Sequence, residues 1–338
     1  MENISPVYAR FVLRELTGRG IEASRVLAGT TLDRERLETG GDISVGDFVT
    51  ILDNGRKLGD DERLGLMIGR HCNPLTLGPV GAAMANAPTV REGLQAMENY
   101  SRLHASYIGV TVQSNLEGLS IKIDFLQDLR DTERFHSESA VMMLQNYVET
   151  LTGRLLDDAT YRFSFPRPEY AAEYALCMHS PVAFDCKYTS IELPRHWLEL
   201  KSPYFHVDMW RQAQLKLSEK IREFGANNER AYTQYLTSLM QSQDPPLPDL
   251  TSIADSLHLS ERTLTRRLKQ EGASYREIRN KVLNTWARQY LMHTSDSVES
   301  IAASLGYQDA ANFRRAFRNR EGCSPREFRE RASTADKA

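Results

Sequence analysis

Ile253-Ala-Asp-Ser-Leu-His-Leu-Ser-Glu-Arg-Thr-Leu-Thr-Arg-Arg-Leu268 returns as Ile301-Ala-Ala-Ser-Leu-Gly-Tyr-Gln-Asp-Ala-Ala-Asn-Phe-Arg-Arg-Ala-Phe317. Ile253/Ile301 and Leu257/Leu305 are 48 residues apart, Leu264/Phe313 and Arg266/Arg315 are 49, and Glu271/Glu321 are 50. Small insertions between constant blocks mean that one folding unit occurs twice. In each copy two short segments space apolar residues four apart, Ile253 with Leu257 and Leu264 with Leu268 in the first. That is the period of helices burying one face. Ser260 and Asp309 stand where the second helix of each copy needs a cap, and Ser297 caps the first helix of copy two, which Gly306 ends. Ser274 with Glu277 and Ser324 with Glu327 form capping boxes, and Pro325 takes the first helical position. The reading is a tandem helix-turn-helix, whose second helix in each copy enters the major groove of DNA.

Removing the buried positions leaves Arg262, Arg266 and Lys269 outward on the first reading helix, with Thr263 and Thr265 beside them. On the second, Ala311, Arg315 and Arg318 point out, with Gln308, Asp309 and Arg314 adjoining. Arginine reads guanine O6 and N7 bidentately, while Lys and further Arg hold phosphates. A helix from Tyr275 to His293 separates the copies and is about 28 Å long, enough to hold two heads about one DNA turn apart. Ala311 replaces Arg262, and Arg314, Arg315, Arg318 and Arg320 crowd the second flank. That head is therefore expected to serve affinity more than sequence choice. From Ser260 to Arg331 there are 15 Lys and Arg against 9 Asp and Glu, in a chain whose net charge is -3. The basic end suits a polyanion, and the acidic remainder does not.

Upstream, Gln241-Ser-Gln-Asp-Pro-Pro-Leu-Pro-Asp249 disfavours helix at successive positions and reads as a stiff linker. The expected domains are 1–240 for effector sensing and dimerisation, 241–249 as linker, 250–331 for DNA binding, and 332–338 as a flexible tail. In the first, helices are expected at Pro6–Leu16, Ser44–Lys57, Thr89–Ser106 and Phe135–Thr152. Ile108–Val112 and Leu119–Phe125 alternate as a hairpin, Tyr161–Phe165 follows as a strand, and Pro181–Leu193 completes a small sheet. The fold class is thus an α+β N-terminal domain plus an all-α C-terminal domain, with two helix-turn-helix units joined by a linker helix. Tyr100, His104 and Tyr107 recur at one helical face, and with His136 they are the candidate effector contacts. Trp210, Ala213, Leu217, Ile221 and Phe224 form a short heptad-like stripe, the candidate dimer interface.

The block from Leu250 to Arg329, ending Gly322-Cys-Ser-Pro-Arg-Glu-Phe-Arg329, resembles the AraC/XylS family of bacterial transcription regulators. The segments Leu77–Leu94 and Arg162-Phe-Ser-Phe-Pro-Arg-Pro168 resemble, more loosely, the arabinose-binding-like effector domain of one subgroup. The resemblance implies a homodimeric regulator on double-stranded promoter DNA, acting with RNA polymerase and a small-molecule effector. Ala310-Ala311 departs from the family, where many members carry polar side chains, so thymine methyls or backbone replace donor and acceptor edges there. An enzyme fused to such a module, as in DNA repair by methyl transfer, would need a cysteine active site or zinc cluster. Cys72, Cys177, Cys186 and Cys323 are scattered without a CxxC pair, so no disulfide, metal or cofactor is expected. No GxSxG, P-loop or GxGxxG element supports catalysis. The two separately capped heads argue against a nucleoid-type binder without sequence preference. Composition is that of a globular chain of 338 residues with 41% hydrophobic and 26% charged residues, long enough for two domains. Without a signal peptide or a long apolar run, it is expected in the cytoplasm and not in a membrane.

Overall fold

A computed structural model describes residues 3–104, 107–227 and 231–335, apart from the side chains of residues 3, 75, 79, 99–104, 217, 218, 220–227, 231 and 333–335. The chain forms two compact units, residues 1–112 with 120–215, and residues 113–119 with 216–338. Among the described residues no helix is long and apolar enough to cross a membrane.

The first unit is α+β. Strand β1 (Asn3–Ile4) precedes α1 (Pro6–Gly18), α2 (Ala23–Val26) and α3 (Arg34–Thr39). Strand β2 (Ile43–Ser44) pairs with β1 and leads into α4 (Val45–Gly59) and α5 (Leu64–Gly69). A 3-10 turn at Pro74–Leu77, α6 (Pro79–Ala85) and α7 (Val90–His104) follow, then the hairpin strands β3 (Ile108–Ser114) and β4 (Gly118–Phe125). Next come α8 (Glu133–Thr152), β5 (Thr160–Arg162), β6 (Val182–Ala183), β7 (Thr189–Pro194) and α9 (Arg195–Leu198). The five-stranded sheet runs β3-β4-β7-β5-β6, with β5 antiparallel to β7 and parallel to β6. The sequence signals placed the caps well: Ser44 accepts from Asp47 N at 3.0 Å and Ser5 opens α1 before Pro6. Tyr161–Phe165 is a shorter strand than expected. Phe163 still donates to Ala183 O, and Phe165 O accepts from Asp185 N, while the rings of Phe163, Phe165 and Phe184 pack on one another.

Helix α10 (Val207–Asn227) passes from the first unit into the second, which continues with α11 (Ala231–Gln241), α12 (Leu250–Ser256), α13 (Glu261–Gln270), α14 (Tyr275–His293), α15 (Val298–Ser304), α16 (Ala310–Glu321) and α17 (Pro325–Ala335). Each expected cap is made. Asp249, Ser260, Ser274, Ser297 and Asp309 all accept from the backbone N–H three residues on. Ser324 N and Glu327 Oε2 close the last capping box at 2.7 Å.

The repeat holds down to single hydrogen bonds. Leu259 N reaches Ala254 O and His258 N reaches Asp255 O, while Tyr307 N reaches Ala302 O and Gly306 N reaches Ala303 O, all within 2.9–3.0 Å. Both helix ends are therefore the same left-handed motif. His258 holds it at φ 53° and Gly306 at φ 76°.

Three boundaries differ from the sequence reading. Helix α11, expected in the effector domain, packs on α13 and α14, with Tyr232, Leu236 and Met240 buried. Its N-terminus is held by Glu271, which accepts from Tyr232 N at 3.1 Å and Thr233 N at 2.7 Å. The proline segment is docked: Leu247 is buried, Tyr275 Oη donates to Pro248 O at 2.9 Å, and a Cβ on Gly306 would lie 3.2 Å from Pro246. Prolines without donors settle here because side chains supply the contacts. The expected tail is helical through Ala335; residues 336–338 lie outside the described residues.

Candidate nucleic-acid interface and effector cavity

Helix α13 buries Leu264 and Leu268 and leaves Arg262, Thr265, Arg266 and Lys269 exposed. These four recur at the three-to-four-residue spacing of one helical face. Arg262, Arg266 and Lys269 have no acidic partner among the described residues, so their full charge is available to a ligand. Thr263 is spent elsewhere, half-buried with its hydroxyl 2.8 Å from Ser260 Oγ at the cap.

Helix α16 buries Phe313 and Phe317. Gln308, Ala311, Arg315 and Arg318 are exposed, Arg315 again without an acidic partner among the described residues. Asp309 is a structural cap, its carboxylate taking Asn312 N at 2.6 Å and Asn312 Nδ2 at 2.7 Å. Arg314 is tied back to Glu299 of α15 at 3.1 Å. Arg318 lies beside Glu327, whose carboxyl is held below the usual carboxylate range chiefly by the hydrogen bonds of Ser324.

Linker helix α14 contributes what the sequence reading missed. Arg276, Asn280 and Asn284 face Arg315, Asn319 and Arg320 across a cleft of about 580 Å³. The signal was in the repeat, because Arg276 and Arg326 follow the two capping serines at equal distance. Other arginines of the motif are structural. Arg329 donates to Asp296 O at 2.6 Å and Leu291 O at 3.3 Å, closing the turn between α14 and α15. Arg267 lies over the ring of Tyr232.

In the first unit, Tyr107 and His136 come together as expected, but not by the expected periodicity. Helix α7 ends at His104, and Tyr107 O instead accepts from Leu126 N, extending the β3–β4 ladder. Its hydroxyl is 3.1 Å from His136 Nδ1, and both residues line a cavity of about 90 Å³. The side chains of Tyr100 and His104 lie outside the described residues. So do those of Leu217, Ile221 and Phe224 in the proposed dimer stripe, whereas Trp210 and Ala213 are half-buried. Around them, α10 exposes Val207, Met209 and Leu215 next to exposed Tyr204 and Phe205. Among the described residues no group of His, Cys, Asp and Glu is placed to hold a metal.

Residues 20–202 match the sequence family described as the arabinose-binding domain of AraC transcription regulator, N-term, and residues 253–331 match a helix-turn-helix domain. The ornithine utilization regulator of Pseudomonas aeruginosa is 27% identical over 343 residues, 97% of each chain. The HTH-type transcriptional regulator VqsM of the same species is 27% identical, covering 78% of this chain and 83% of its own. Among solved structures, the transcriptional regulator CdpR of Pseudomonas aeruginosa aligns with a TM-score of 0.50 and 26% identity, over 96% of this chain and 98% of that one.

Proposed function

The chain belongs to the AraC family of transcription regulators and is a DNA-binding regulator of transcription; from that premise we propose that α13 and α16 dock in successive major-groove segments of one promoter site. The observation that carries this is the shared position of Arg266 and Arg315. Both are exposed and without an acidic partner among the described residues, on helices whose preceding turns match bond for bond. Arg262 and Arg266 read base edges on α13, with Thr265 alongside and Lys269 on the phosphates. On α16, Arg315 approaches the bases while Arg318, Arg320 and the α14 residues Arg276, Asn280 and Asn284 hold the backbone. Ala311 touches thymine methyls, and Gln308 lies at the near edge of the groove.

The protein works in the cytoplasm as a homodimer, pairing through α10, and meets RNA polymerase at the promoter. Exposed Val207, Met209 and Leu215 support the pairing, since covering apolar area left in water favours association. The first unit senses a small molecule. The ornithine in a relative's name is not carried over to this chain, for reasons given by its cavity. The test is binding to a cognate promoter fragment by Arg266→Ala and Arg315→Ala. Each should weaken binding by about 1–3 kcal/mol without altering the circular-dichroism spectrum; wild-type binding by both variants refutes the docking.

A further inference from the structure

The cavity of the first unit lies among α1, α4, α7, α8 and the strands β3 and β4, walled by Phe48, Val80, Met97, Val110, Ile123 and Met143. Among the described residues, none of the side chains lining it is acidic or basic apart from the imidazole of His136. The polar groups it receives from these residues come from Tyr8, Tyr107, His136 and Ser139. Ser139 is satisfied, donating to Gly65 O at 3.2 Å, and the Tyr8 hydroxyl meets Thr76.

His136 is different. It is 4% exposed, and the rings of Phe48, Tyr107, Phe125 and Phe135 surround it at centroid distances of 5.2–6.1 Å. Burial lowers its pKa to about 3, so the ring is neutral at physiological pH. Its Nδ1 meets the Tyr107 hydroxyl, whose one hydrogen-bond partner among the described residues this is. With the hydroxyl donating, Nδ1 accepts and the imidazole proton sits on Nε2; the reverse direction would leave both the hydroxyl proton and the Nε2 lone pair unmet, so the first arrangement is favoured. Nε2 has no partner. A buried donor left unmet is costly, and a ligand that meets it recovers that cost on binding.

We propose that this cavity is the effector site and that its ligand is a small uncharged molecule, mostly hydrocarbon, with one oxygen that accepts a hydrogen bond from His136 Nε2. The inference rests on reading the N-terminal domain as the sensing part of a DNA-binding regulator. An apolar cavity of ~150 Å³ stays dry and takes up benzene, so about 90 Å³ sets a ligand of roughly four non-hydrogen atoms. The unbranched side chains of Met97 and Met143 can shift to admit slightly more. A carboxylate or ammonium would be buried here with no counter-charge among the described residues, which argues against amino acids.

The test titrates the full-length chain with cyclobutanone, cyclobutane and propionate, followed by ligand-observed NMR. Cyclobutanone should bind roughly tenfold tighter than cyclobutane, the difference being the Nε2 hydrogen bond, and propionate should not bind. His136→Leu should bind the ketone and the hydrocarbon equally. Ala140→Leu, which fills the cavity, should abolish both without lowering the unfolding temperature. Equal binding of ketone and hydrocarbon to the wild type, propionate binding as well as the ketone, or ketone binding retained by Ala140→Leu each overturns the proposal. Operator affinity is measured alongside. Ketone binding that leaves operator affinity unchanged overturns the effector role while the DNA-reading account stands. Absence of operator binding in the ligand-free and ketone-bound chain alike refutes that account instead.

Discussion

Replacing Glu138 with glutamine should make the first unit more stable at pH 8 and leave it little changed at pH 4.5. Glu138 is 0% exposed in the middle of α8. Its Oε1 accepts from Tyr170 Oη at 2.8 Å and from Tyr174 Oη, and its Oε2 lies against Gly65 beside the Leu66 main chain. Burial raises the carboxyl pKa from 4.5 to about 7, and the tyrosine hydroxyls, the Arg134 charge and the main chain at Leu66 pull it down by less. Between those two values the folded chain holds a proton that the unfolded chain releases. Stability from this group is therefore fully present below pH 4.5 and lost as pH rises through 7. At about 1.4 kcal/mol per unit the loss levels off at roughly 3–3.5 kcal/mol above pH 8. Glutamine keeps an oxygen for both tyrosines and does not titrate, though its amide leaves donors unmet, so a net gain of about 1–3 kcal/mol is expected at pH 8. Hydrogen exchange of the α8 amides at the two pH values reads the difference directly. An effect of Glu138→Gln that is the same at pH 4.5 and pH 8 refutes the reasoning.

His258→Gly should stabilise the helix-turn-helix unit by about 0.5–1 kcal/mol, because a left-handed residue with a side chain is strained there, less the extra entropy glycine brings to the unfolded chain. Gly306→Ala should destabilise it by about 1–2 kcal/mol at the equivalent turn, and urea midpoints check both. A fragment beginning at Lys216 should fold and bind operator, whereas one beginning at Pro245 should unfold at lower urea because it lacks the buried Tyr232, Leu236 and Met240 of α11. The double variant Met209→Glu with Leu215→Glu should sediment as a monomer at micromolar concentration where the wild type is a dimer.

The DNA-binding unit was legible because its information is local. A Ser or Asp caps each of α12 to α16, a capping box opens α17, and the repeat shows which positions are buried, so Leu264, Leu268, Phe313 and Phe317 could be placed inside from spacing alone. The same local rules could not show that Arg314 meets Glu299, that Asp309 is consumed as a cap, or that α14 brings Arg276 opposite Arg320. Those are meetings between helices. In the first unit the strand pattern gave β3 and β4, but carrying the α7 period on to Tyr107 failed, because the chain enters the sheet three residues after His104. Tyr107 still met His136, by a tertiary contact that no spacing encodes. Nothing in the spacing of the Phe135–Thr152 segment marks Glu138 as buried; the packing of Tyr170 and Tyr174 onto it does.

The most direct measurement is a base-pair substitution scan across an operator, with affinity measured at each position at physiological salt. Two reading helices predict two blocks of sensitive positions about one helical turn apart. Losses of about 1–3 kcal/mol per position should cluster in the block read by Arg262 and Arg266, with shallower losses in the block that faces Ala311 and Arg315. Equal steepness in both blocks would show that α16 reads sequence as closely as α13. A single sensitive block, or uniform insensitivity across the site, would contradict the docking of both helices.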